Sequence, residues 1–118
     1  HHMYPKVEVL GFSKSGEFSF CNQSKLFQLR FNNLCFEFYE WELANFKRYL
    51  ASLLKDFKQN SIRDINGRTK IPLSVGNKYF IILLTHKELV EMCGLLNDKH
   101  STPQLIKAQD IDYISTKN

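Results

Sequence analysis

Between Phe27 and Phe38 the chain alternates without a break in phase. Phe27, Leu29 and Phe31 are separated by Gln28 and Arg30, Asn32-Asn33 interrupts, and Leu34, Phe36 and Phe38 are separated by Cys35 and Glu37. A period of two places every second side chain on one face, so each run is a strand with one apolar side, and a two-residue polar interruption joins them as an antiparallel hairpin. Just past Phe38 the period changes. Leu43, Phe46, Leu50, Leu53, Leu54 and Phe57 recur at three- and four-residue steps with charged residues between them, which predicts an amphipathic helix from Glu40 to about Lys58. Glu40 and Glu42 at its start and Lys55 and Lys58 at its end complement the helix dipole, by a few tenths of a kcal/mol per charge (about 0.3 or more). A hairpin followed at once by a helix whose apolar stripe must find cover restricts the fold to a sheet with helices on it.

The rest of the chain extends this pattern. Val7 to Phe12 and Glu17 to Cys21 read as an earlier hairpin closed by Ser13-Lys14-Ser15-Gly16. Gln59 to Lys70 is polar, basic and turn-rich around Asn66-Gly67, a candidate loop or hairpin end. Ile71 to Val75 alternates, with Pro72 suggesting an edge strand or strand start because proline lacks a ladder donor. Gly76-Asn77 turns into Tyr79 to Leu84, apolar at every position and therefore expected to be central or covered by a second molecule. Thr85 and Glu88 form a capping box that opens a second helix, whose stripe is Leu89, Met92, Cys93 and Leu96, weakened by Gly94 and ended near Asn97. The two hairpin-then-helix stretches align, with Phe36, Phe38 and Glu42 matching Ile82, Leu84 and Glu88, which raises a duplicated ββα unit as a hypothesis. The expected fold is α+β: a mainly antiparallel sheet from two ββα segments with the helices on one face, in a domain spanning 3–97. Residues 98–118 form a C-terminal tail whose Ile111 and Tyr113 give it enough apolar character to dock partly.

Composition sets limits on function. At 118 residues, 43% hydrophobic and 24% charged, the chain is long enough for one core and needs no metal or disulfide to stabilise it. His1-His2-Met3 reads as a tag remnant before an initiator methionine, which leaves His86 and His100 for any metal argument. Cys21, Cys35 and Cys93 are odd in number and far apart, the pattern of reduced thiols, and no apolar run reaches membrane-spanning length, so a cytoplasmic protein without membrane association is expected. The net charge of +4 is evenly spread by sequence halves: residues 1–59 and 60–118 each carry eight basic and six acidic side chains.

No constellation of residues specifies a reaction. Cys21-Asn22-Gln23-Ser24 is a Cys-x-x-Cys turn lacking its second thiol, so neither a dithiol couple nor a zinc corner is complete. Cys35 and Cys93 lie in a strand and on a helix stripe without a neighbouring base, and there is no glycine-rich phosphate loop, His-Glu-x-x-His or Gly-x-Ser-x-Gly. No catalytic residue, metal site or cofactor is assigned. Trp41 lies off the main helix stripe beside Arg48 and Tyr49; with Tyr79 and the tail residues Ile111 and Tyr113 these form the candidate interface, since Trp, Tyr and Arg favour protein contacts. Lys47, Lys55, Lys58, Arg63, Arg68 and Lys70 form the candidate nucleic-acid contact of an alternative reading.

The run Cys21 to Leu34, then Glu42 and Phe46, then Ile71-Pro72 and the strand leading into Glu88-Leu89, resembles a family of short uncharacterised bacterial proteins over about residues 18–97. Members often carry a second cysteine where this chain has Ser24. The resemblance implies a small cytoplasmic bacterial domain of unknown function and lends no catalytic residue. Sixteen aromatic side chains, ten Phe, five Tyr and one Trp, exceed what one small core readily covers. The leading expectation is a non-enzymatic interaction or structural module acting as a homodimer, with weak nucleic-acid binding as the alternative.

Overall fold

The structure, a computed structural model, describes residues 6–76 and 78–97. The alternating runs become a four-stranded antiparallel meander: β1 (Val7–Phe12), β2 (Gly16–Cys21), β3 (Leu26–Phe31) and β4 (Leu34–Phe38), ordered β1-β2-β3-β4. Its register sets Phe18 beside Leu29 and Leu29 beside Phe36, and one step along sets Phe20 beside Phe27 and Phe27 beside Phe38. This row of phenylalanines is the apolar face, with ring centroids of Phe20 and Phe27 4.6 Å apart. Asn32 takes a left-handed φ of 54° to close the tight turn, a conformation asparagine tolerates. The register slips between Val9 and Gly11, so Leu10 and Gly11 are both buried while Phe12 swings out to solvent.

Helix α1 (Glu40–Lys55) follows β4 and lays Leu43, Leu50 and Leu53 inward, with Phe46 against the rings of Phe36 and Phe38. Glu42 accepts a hydrogen bond from the Tyr39 N–H at 2.8 Å, which fixes the helix entry. The helix is shorter than its periodicity suggests. Asp56 leaves helical geometry, and a separate turn, α2 (Phe57–Asn60), carries Phe57 onto the ring of His86 with centroids 4.2 Å apart. Lys58 therefore belongs to α2 and not to the last turn of α1.

The second half builds its own ladder: β5 (Ile62–Arg63), β6 (Thr69–Ser74) and β7 (Ile81–Leu84), ordered β5-β6-β7, followed by α3 (His86–Asn97). The fold is α+β, as the pattern predicts, but with two antiparallel sheets in place of one. At 1.5 Å per residue α1 carries the chain roughly 24 Å from the β4 edge, so β5 to β7 start afresh instead of extending the meander. Helix α3 lies between the ladders, touching β1 and β2 of one, β6 and β7 of the other, and α1. Leu89, Met92, Leu95 and Leu96 fill that central position and are buried. Its capping box is present, with Thr85 Oγ accepting from the Glu88 N–H at 3.0 Å and Glu88 Oε1 accepting from the Thr85 N–H at 2.9 Å.

Both β3-β4-α1 and β6-β7-α3 are antiparallel hairpins running into a helix, and in each a glutamate accepts from the backbone N–H three residues earlier. Their turns differ: Asn32-Asn33 is a two-residue link, whereas β6 and β7 are joined through residues 75–80, with Gly76 at a φ of 76°.

Candidate interaction surface

Strand β7 differs most from its sequence reading. Its six-residue apolar run is expected to be central or covered by a second molecule, yet only Ile81–Leu84 forms strand, and among the described residues it pairs with β6 alone, so it is not central. It is an edge. Ile82 and Leu84 turn into the core, while Ile81 and Leu83 remain 49% and 42% exposed. Strand β6, expected because of Pro72 to be an edge strand or to start there, is instead the middle strand and starts at Thr69. Proline is tolerated there because β5 pairs only with Thr69 and Lys70 and has ended before Pro72.

The same edge geometry fixes where the backbone of β7 points. Ser74 N–H points away from β7 and donates to Tyr49 Oη at 2.9 Å. Pro72, two residues earlier, shares that orientation. Their partners across the ladder, Leu83 for Pro72 and Ile81 for Ser74, are therefore the non-hydrogen-bonded pairs. The N–H and C=O groups of Ile81 and Leu83 face the open side, and the side chains of the same two residues stand on the outer face. Pro72 shares that face, Ile62 extends it at 46% exposure, and Tyr79 and Phe80 are exposed at the hairpin end.

Charge gathers along the stretch from β5 to the start of α3 in a way that counting by halves conceals. Residues 61–87 contain Arg63, Arg68, Lys70, Lys78 and Lys87 against Asp64 alone, a balance equal to the net +4 of the whole chain. Part of this charge is committed to the hairpin. Asp64 accepts from the N–H groups of Asn66 and Arg68 at 2.9 and 2.8 Å and pairs with Lys70 at 3.3 Å, contacts that hold its carboxyl below the usual aspartate range, the Arg68 N–H foremost. Arg63 donates to the Gly67 carbonyl at 2.8 Å. Of the other candidate nucleic-acid contacts, Lys55 and Lys58 are exposed on α1 and α2, and Lys47 is half-buried on α1, where burial pushes its amine pKa down.

The remaining candidate interface residues separate. Tyr49 is half-buried and serves as the cap on β6. Trp41 lies in the first turn of α1 and is 65% exposed. Arg48 is exposed one turn from Asn45 and donates to its side-chain oxygen. Tyr79 lies on the β6-β7 connection with Lys78 Nζ 5.3 Å from its ring centroid. Ile111, Tyr113 and the predicted docking of the tail lie outside the described residues.

The three thiols are free. Cys21 ends β2 beside the β2-β3 turn, where the Ser24 hydroxyl and the backbone N–H groups of Ser24 and Gln23 hold its pKa below the ordinary thiol value. Cys93 is pushed the other way by burial. Among the described residues no three His, Cys, Asp or Glu side chains gather to hold a metal ion. No helix there is long and apolar enough to cross a membrane.

The sequence model of a family of unknown function, DUF6686, matches residues 3–118. The chain belongs to that family. No curated protein and no solved structure matches it. The surface of this DUF6686 member is marked by the β7 edge, where the apolar run predicts either a central strand or one covered by a second molecule. One signal does point to it: a four-residue strand bounded by Lys78 and Lys87 has the short length and flanking charge of an edge.

Proposed function

We propose that this DUF6686 chain is a non-enzymatic cytoplasmic interaction module that self-associates as a homodimer through β7. The observation that carries this reading is the coincidence, at Ile81 and Leu83, of outward backbone groups with exposed apolar side chains. Two copies meeting edge to edge about a two-fold axis would pair those groups and cover both side chains. The exposed free thiol of Cys35 suits a reducing compartment. Light scattering across a concentration series tests it. The mass should rise from 13.9 kDa toward twice that value, and Leu83→Lys should hold it at the monomer value while leaving thermal stability nearly unchanged. A dimer indifferent to Leu83→Lys, or a monomer up to millimolar protein, overturns the reading.

Weak nucleic-acid binding is a second reading, favoured by the basic balance of residues 61–87 beside exposed Tyr79 and Phe80. Its signature is an affinity that falls steeply with salt, and a flat response removes it.

A further inference from the structure

We infer that the open edge of β7 is a docking site for an extended segment of alternating acidic and apolar residues, and that its occupant is the chain's own Asp110-Ile111-Asp112-Tyr113-Ile114. The inference rests on the reading of β7 as an interaction edge and supplies what regulates it: the tail and a second copy compete for one strand.

Four observations converge on this segment. Its backbone can satisfy the outward N–H and C=O groups of Ile81 and Leu83, the ordinary means by which an extended peptide adds to a sheet. Its composition, two isoleucines and a tyrosine spaced by aspartates, suits a strand, with Ile111 and Tyr113 on one face to lie beside Ile81 and Leu83. Its charge is opposite to that of the site. The segment carries two aspartates and no lysine or arginine, whereas residues 61–87 hold the net positive charge, with exposed Lys78 and Lys87 flanking β7. The family match runs through residue 118, so the tail belongs to the family's pattern.

Reach also favours the chain's own tail over a second copy. Twelve residues lie between Asn97 and Asp110, thirteen Cα steps with a span of up to about 43 Å, whereas α3 stands only about 18 Å long between the end of β7 and Asn97. With α3 packed on β6 and β7, the connection is a strand-helix-strand crossover and the added strand runs parallel to β7. A tether of this length presents its segment at an effective concentration of about millimolar, which a second copy does not match in dilute solution.

Amide hydrogen exchange on the full chain, read residue by residue at low and high concentration, tests this. In dilute wild-type protein the Ile81 and Leu83 amides should be protected, independently of concentration. Ile111→Lys/Tyr113→Lys should speed their exchange about tenfold or more while Ile82 and Leu84, bonded to β6, stay unchanged. The same variant should dimerise at lower concentration than wild type. Protection that appears only at high concentration sinks the tail inference and keeps self-association. Protection that survives the double substitution in dilute protein sinks the inference as well. Concentration-independent protection lost in the variant, with no dimer at any concentration, supports the tail and removes the self-association reading.

Discussion

Two glycines should respond to alanine in opposite directions. Gly16 opens β2 opposite Phe31, and a Cβ built there meets the backbone carbonyl of Arg30, the Leu95 Cδ1 at 3.0 Å and the Phe31 Cα at 3.2 Å. Two of those neighbours are backbone atoms of β3, so relief requires moving one strand against another, with α3 behind them. Its φ lies outside the left-handed region, so the cost is steric alone. Overpacking of this kind costs about 1–3 kcal/mol, and a clash with backbone falls in the upper part of that range. For a domain of this size Gly16→Ala should lower Tm by roughly 10–20 °C. Gly94 is the counterpart: it sits inside α3, and nothing lies within 4 Å of a Cβ placed there. Gly94→Ala removes the backbone freedom that glycine keeps in the unfolded chain and should stabilise by about 0.5–1 kcal/mol. Thermal melts followed by circular dichroism, with urea midpoints compared at constant slope, measure both. A Gly16→Ala variant melting within a couple of degrees of wild type would refute the close approach of β2, β3 and α3. Loss of stability in Gly94→Ala would refute the open helix face.

Glu91 on α3 accepts from the Ser15 N–H at 2.8 Å and from the Ser13 hydroxyl, tying the helix to the β1-β2 turn. Glu91→Gln should cost about 1 kcal/mol, below the usual worth of a charge-assisted bond because the site is half-exposed. The Ser13 hydroxyl, then Ser15, holds the Glu91 carboxyl below the ordinary glutamate value against the opposing effect of partial burial. A depressed folded-state value gives stability that is present above about pH 4.3 and lost as pH falls through it toward the lower folded value. The wild-type advantage over Glu91→Gln should therefore shrink in that window, and a constant difference from pH 7 to pH 3 would count against it. For the thiols, iodoacetamide at neutral pH should label Cys21 ahead of Cys93, because hydrogen bonds favour the Cys21 thiolate while burial disfavours that of Cys93. The reverse order in a mass-spectrometric time course would refute the turn geometry.

The elements legible in the sequence are those where one physical signal acted alone. The alternation through Asn32-Asn33 gives β3 and β4 because a strand with one covered face has no other reading, and Thr85 with Glu88 marks the start of α3 because a capping box satisfies specific N–H groups. The periodicity of α1 continues past its true end, since Phe57 keeps the helical phase while its contact is with His86 beyond a broken turn. Gly16 reads as a turn residue, but the space it leaves is claimed by Leu95, nearly eighty residues away. The link from Glu91 to the β1-β2 turn is equally invisible, because nothing local distinguishes a glutamate that caps a distant loop from one in solvent.

The place of β7 at an edge, where a central strand is one of the two readings of its apolar run, bears most on function. An unbroken apolar run predicts burial on both faces because exposing apolar side chains forgoes roughly 25 cal/mol per Å². Here only alternate residues, Ile82 and Leu84, are needed by the core, and β6 satisfies only one side of the backbone. Ile81 and Leu83 contribute neither to the interior nor to the ladder that closes it. Polar residues at those two positions would give the same fold with a more soluble edge, as Glu37 and Cys35 do on the outward side of β4. The apolar identity of Ile81 and Leu83 is therefore unexplained by the folding of residues 6–97, and the proposed strand laid beside them would account for it. That is why the exchange rates of these two amides, and not the stability of the domain, discriminate between a partner, a tail and an empty edge.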